Sequence, residues 1–187
     1  NSFSIYFVKK TTVGWRYTRF VENFIEAGSW AKTGEKRIQY IGGRALFSVK
    51  SANMNDGHIS AYINIALITE ENTKIPIILL NTLELGRGAK NRKCPQKNPY
   101  PNGVDSSCID LKGKIEITER KGESYLVADY LGVFKDWKCD KTEEISRNFK
   151  WKITNRDFRR IGSSHWELNE KIFRLMRDGL CKKKLTE

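Results

Sequence analysis

Lys114-Ile115-Glu116-Ile117-Thr118 and Ser124-Tyr125-Leu126-Val127-Ala128, joined by the turn Arg120-Lys121-Gly122-Glu123, decide the fold class. Two short runs rich in β-branched and aromatic residues, separated by a Gly-containing turn, read as a β-hairpin. Further on, Phe149-Lys150-Trp151-Lys152-Ile153 alternates strictly between large apolar and basic residues, as a half-buried strand does.

The N-terminal half carries the same signature. Ser4 to Val8, Trp15 to Val21, Ile38 to Ile41, Ala45 to Val49, Ile59 to Ile68 and Lys74 to Leu85 read as strands. Phe20 to Ile25 also fits a short helical turn, because Phe20, Phe24 and Ile25 share a helical face. Gly42-Gly43, Asp56-Gly57 and Glu70-Glu71-Asn72 supply turns, and Pro76 implies an edge or a bulge. Phe134 to Lys138 is a further strand. Residues 86–107 break the pattern. They hold Arg87, Lys90, Arg92, Lys93 and Lys97, Pro95, Pro99 and Pro101, and almost no apolar side chains, which predicts a long basic loop.

The C-terminus reads as a helix over roughly 164–180. Ser164 and Glu167 form a capping box, and Leu168, Ile172, Leu175 or Met176, and Leu180 form an apolar stripe. Lys182, Lys183 and Lys184 follow, where the helix dipole favours cations. The expectation is a single α+β domain: mainly antiparallel β-sheet with a C-terminal α-helix packed on it, and two disulfides.

The cysteines are Cys94, Cys108, Cys139 and Cys181. An even number suits disulfides in an oxidising compartment, and three pairings exist. Cys94–Cys108 would close the basic loop, and Cys139–Cys181 would tie a strand end to the last helix. No C-x₂₋₄-C pair is present, which argues against a zinc site. The start at Asn1, without Met and directly ahead of a strand, reads as a trimmed or mature terminus. No apolar run reaches the roughly 20 residues of a membrane helix. The absence of N-x-S/T sequons favours a bacterial source. A secreted, periplasmic or cell-surface location is therefore expected.

The formal net charge is +12. Such a surface attracts polyanions over about 8–10 Å in physiological salt. The expected partner is an acidic protein or a polyanion: glycan, lipopolysaccharide or nucleic acid. Nothing in the chain resembles a nucleophile elbow, a zinc-protease motif, a P-loop or a dinucleotide fingerprint, and no cofactor or metal is implied. Two catalytic alternatives exist. His58 and His165 are the only histidines, and such a pair is what a metal-independent nuclease would use as base and acid. Asp129, Asp136 and Lys138 form a D…D-x-K pattern suited to a metal-dependent nuclease.

The remaining signal is basic residues interleaved with aromatics: Trp15, Arg16, Tyr17, Arg19 and Phe20, and again Lys150, Trp151, Lys152, Arg156, Phe158, Arg159 and Arg160. Alternation predicts that the rings face the core while Lys150 and Lys152 share the solvent face. Buried rings argue against single-stranded nucleic acid, which needs exposed aromatics for stacking. The expected binding residues are Arg87, Lys90, Arg92, Lys93, Lys97, Lys150 and Lys152.

Trp137-Lys138-Cys139-Asp140, followed by polar strand sequence, Ile161-Gly162-Ser163 and an apolar helix ending in Leu180-Cys181, resembles the bacterial surface-adhesin E family. The resemblance covers the C-terminal third. It implies an exported sheet-and-helix module that binds host matrix proteins, with the strand Cys bonded to the Cys ending the helix. The expected function is a non-enzymatic, adhesin-like or envelope-associated binding module.

Overall fold

The computed structural model describes residues 2–27, 34–55, 58–69, 77–89, 94–95, 97–98, 107–162 and 165–181. Among them the strands are β1 (Ser2–Thr11), β2 (Gly14–Glu26), β3 (Lys36–Ile41), β4 (Arg44–Asn55), β5 (His58–Ile68), β6 (Ile77–Ala89), β7 (Ser107–Arg120), β8 (Glu123–Asp136), β9 (Lys141–Ile153) and β10 (Phe158–Ile161). One helix, α1 (His165–Asp178), follows. β1 and β2 form a two-stranded sheet of their own, and β3 to β10 form an eight-stranded sheet in chain order. The fold is thus mostly antiparallel β-sheet with a C-terminal helix, as the alternation and the stripe predict.

The chain divides into two compact units, Asn1–Asn53 with Tyr62–Leu83, and Met54–Ala61 with Glu84–Glu187. In the first, Ile25, Ala27, Val49 and Ala66 form a buried core against which Phe3, Phe24, Phe47 and Ile77 pack. Phe47 holds the base of the β1–β2 ribbon, its ring centroid 5.4 Å from Phe3 and 5.7 Å from Phe24. Phe20 to Ile25 is strand throughout, so pairing with β1 overrides the local helical periodicity.

The second unit is built on β7, β8 and β9. β7 pairs with β8 without a register break from Ser107↔Asp136 to Arg120↔Glu123. Lys121 and Gly122 both take positive φ, 51° and 74°, the left-handed geometry of a two-residue hairpin turn whose twist matches its strands. Leu126, Ala128 and Tyr130 of β8 face the interior with Phe149, Trp151 and Ile153 of β9. Tyr130 lies against Gly113, its direct partner on β7; a Cβ there would come within 2.8 Å of the Tyr130 ring.

On α1 the buried stripe is Leu168, Ile172 and Leu175, while Met176 is exposed. Each buried side chain contributes on the order of 2 kcal/mol. Gly179 ends the helix at φ 68°, and its N–H donates to the Leu175 carbonyl at 2.9 Å. The Leu180 N–H donates to Oδ2 of buried Asp136 at 2.8 Å. Cys94–Cys108 and Cys139–Cys181 are both bonded. No described helix is long and apolar enough to cross a membrane.

The start of the basic loop differs from the sequence reading. β6 continues through Ala89, with Gly86, Arg87 and Gly88 opposite Lys112, Leu111 and Asp110, so Arg87 is a strand residue. The sequence masks this because Gly86 and Gly88 are poor strand formers; the backbone of β7 comes so close that a Cβ on Gly86 would lie 2.8 Å from the Leu111 carbonyl.

Candidate functional site

The expected binding residues scatter into different circumstances. Arg87 is committed internally. Its Nε donates to Ser60 Oγ at 3.2 Å and lies 3.0 Å from Glu84 Oε1, and its Nη1 sits 3.2 Å from Met176 Sδ. Its side chain is only 26% exposed, so it is a structural counter-ion rather than a surface cation. Burial holds the Glu84 carboxyl above its ordinary value despite that neighbour. Burial and the Glu84 charge together push the nearby Tyr130 hydroxyl up. Lys97 is exposed. Lys90, Arg92 and Lys93 lie outside the described residues.

Lys150 and Lys152 are half-buried on the face of the sheet opposite Trp151. The Lys150 ammonium sits 3.8 Å over the Tyr125 ring, a cation–π contact. Lys152 pairs with Glu123, which also accepts from the Tyr125 hydroxyl. These hydrogen bonds lower the Glu123 carboxyl and raise the Tyr125 hydroxyl. Both lysines already have partners within their own sheet.

The catalytic alternatives fare differently. His58 opens β5 and His165 opens α1, and the side chains of both lie outside the described residues. Asp129 and Asp136 are seven positions apart on one strand, which puts them on opposite faces and roughly 23 Å apart. They do not converge on a metal. Asp136 instead serves α1, accepting from Leu180 N–H and, at 3.0 Å, from Lys138 N–H. It also groups with Cys139 and Cys181. Their sulfurs are bonded to each other and offer no thiolate.

The largest departure concerns the first aromatic group. Trp15, Tyr17 and Phe20 do not face a core, so burial of the rings gives no argument against single-stranded nucleic acid for this group. They lie on the β1–β2 ribbon, and Trp15 and Tyr17 are 71% and 56% exposed. Tyr6, directly opposite Phe20, is 67% exposed. The period-two reading of β2 is right, but it presumes that the apolar face meets another layer, and a two-stranded ribbon has none beyond its base.

Register assigns the faces. Tyr6↔Phe20, Val8↔Tyr17 and Lys10↔Trp15 are direct partners, so these side chains share one face. On the other face Lys9 sits opposite Arg16, with Arg19 opposite Phe7. A register shift between Phe7 and Val8 leaves Thr18 extra on β2, and its hydroxyl donates to the Phe7 carbonyl at 3.0 Å. The Tyr6 and Phe20 rings stack at 4.6 Å, and the Tyr17 ring lies tilted 6.4 Å from Tyr6. None of Lys9, Lys10, Arg16 and Arg19 makes an ion pair with a described residue.

The β1 half of this site escaped the sequence reading. The signal was Ile5-Tyr6-Phe7-Val8, apolar on both faces of a strand that pairs only with β2 among the described residues. No protein family, curated protein or solved structure matches the chain.

Proposed function

We propose that the protein is an exported, non-enzymatic binding module that captures an anionic partner, and that the β1–β2 ribbon is its principal contact surface. One observation carries the reading: Lys9, Lys10, Arg16 and Arg19 project from an exposed ribbon whose large apolar side chains are also uncovered. Lys9 and Arg16 face each other directly, an arrangement that costs ladder stability unless an anion lies between or beside them. A net charge of +12 steers such a partner toward the surface. Two disulfides support an oxidising compartment. The resemblance of the C-terminal third to the surface-adhesin E family points the same way. Lys97 is a candidate second contact.

The test is polyanion capture with salt and charge reversal. The protein is expected to bind immobilised polyanion at low ionic strength, to release it by 0.5 M salt, and to lose most of its affinity in the K9E/K10E/R16E/R19E variant. Capture that ignores both salt and the reversal refutes the proposal.

A further inference from the structure

The cations explain attraction but not the rings. An exposed apolar stripe on a ribbon is a solubility liability, and mixed Lys and Glu would cover it at little cost. Here the stripe instead runs along one face from Trp15 to Phe20 of β2, five residue steps or roughly 16 Å of strand. Trp15 stands toward the turn, Tyr17 and Val8 in the middle, and stacked Tyr6 and Phe20 toward the base.

A ligand fitting both features must be anionic and must present flat apolar faces in series. An acidic peptide has the charge without the repeated faces. Single-stranded nucleic acid has both, but its bases bind best between separated rings or on free ring faces. Tyr6 and Phe20 are already stacked on each other at 4.6 Å and leave no gap for a base, so a strand would find its open face at Trp15, 71% exposed, rather than a series of slots. The Tyr6–Tyr17 pair, tilted by 58°, forms a ledge rather than a slot. Pyranose rings need only a ledge. A C–H face of the sugar can lie on the electron-rich face of one aromatic ring, and the exposed Tyr6 and Tyr17 offer hydroxyls for the sugar's own. Lys9, Arg16 and Arg19 lie on the reverse face, and because adjacent strands are only about 5 Å apart their long side chains can bend round the ribbon edges toward acidic substituents. Lys10, beside Trp15, supplies a cation on the ring face itself.

We infer that the Tyr6–Trp15–Tyr17–Phe20 face of the β1–β2 ribbon is a saccharide platform, and that the partner is an anionic polysaccharide bearing sulfate or carboxylate groups. This rests on the ribbon being the anion-contact surface proposed above and adds the ligand class.

Binding of the whole protein to heparin, polyglutamate and an oligo-dT single strand, measured in the same buffer, decides the matter. The W15A/Y17A variant is expected to lose about tenfold in heparin affinity and to keep its polyglutamate affinity. A ring-retaining W15F/Y17F variant should recover most of the loss. Since both side chains are exposed, thermal unfolding of the variants should match the parent. If heparin binding depends on the cations but not on the rings, the saccharide platform is refuted and the anion-binding function stands. If oligo-dT binds more tightly than heparin with the same ring dependence, the ligand is nucleic acid and the inference fails. If no polyanion binds at low salt, both proposals fall.

Discussion

Removing the two disulfides separately should destabilise the protein unequally, by amounts that follow from the loops they close. Cys94–Cys108 spans 14 positions and Cys139–Cys181 spans 42. Chain-entropy reasoning assigns about 3 kcal/mol to the shorter loop and about 4 kcal/mol to the longer, a difference of about 1 kcal/mol. The double variants C94A/C108A and C139A/C181A test this by urea unfolding, followed by circular dichroism and tryptophan fluorescence. With a slope near 2 kcal/mol/M, the midpoints should fall by roughly 1.5 M and 2 M. Together the bonds amount to about 7 kcal/mol against a typical total of 5–15, so the fully reduced chain should be marginal at best. Equal losses, or a larger loss from the shorter loop, would refute the loop-entropy argument. Negligible losses from both would show that packing alone holds the second unit.

Glu84→Gln should alter how stability depends on pH. Burial raises the folded carboxyl above its ordinary 4.5, so the unfolded chain sheds its proton first and native stability falls as pH rises above that value. The variant removes this loss, so its stability relative to the parent should climb above pH 4.5; a flat or falling difference in urea titrations contradicts the assignment. Gly132→Ala should cost about 1–3 kcal/mol by thermal unfolding, because the new Cβ would lie 2.3 Å from the Asp110 carbonyl oxygen; an unchanged midpoint would mean the strands part freely. Leu168→Ala should cost about 2–5 kcal/mol in urea unfolding while Phe173→Ala, on the exposed side of α1, should be nearly neutral; similar costs would mean the helix packs by another face. Arg16→Glu should slow amide exchange of the ribbon about two- to fivefold by turning a like-charge pair with Lys9 into an opposite one, while weakening polyanion capture. Faster exchange would contradict the register.

The elements legible in the sequence were those whose local pattern agrees with their tertiary surroundings. The hairpin around Lys121-Gly122, the alternation of Phe149 to Ile153 and the Leu168-Ile172-Leu175 stripe each meet the layer their pattern demands. Both disulfides followed from closing the basic loop and anchoring the last helix. The candidate site was legible only in part. Counting cations selected Arg87, which the fold uses against buried Glu84, and selected Lys150 and Lys152, which Tyr125 and Glu123 engage. It did not distinguish cations that have acquired partners from those that have not, because partners such as Ser60 on β5, for Arg87, and Glu123 on β8, for Lys152, are brought up by neighbouring strands. The ribbon was misjudged for a related reason. Alternation tells which side chains share a face but not whether anything covers that face, and whether the β1–β2 pair joins the larger sheet is decided by topology.

The β7–β8–β9 arrangement has a consequence for how the chain reaches its native state. Every partner in that meander is the next segment along, so pairing zips outward from the turns and no strand waits for a remote one. The pairing of β7 to β9 therefore needs nothing from Cys181, and the Cys139–Cys181 bond is left to latch an already ordered sheet.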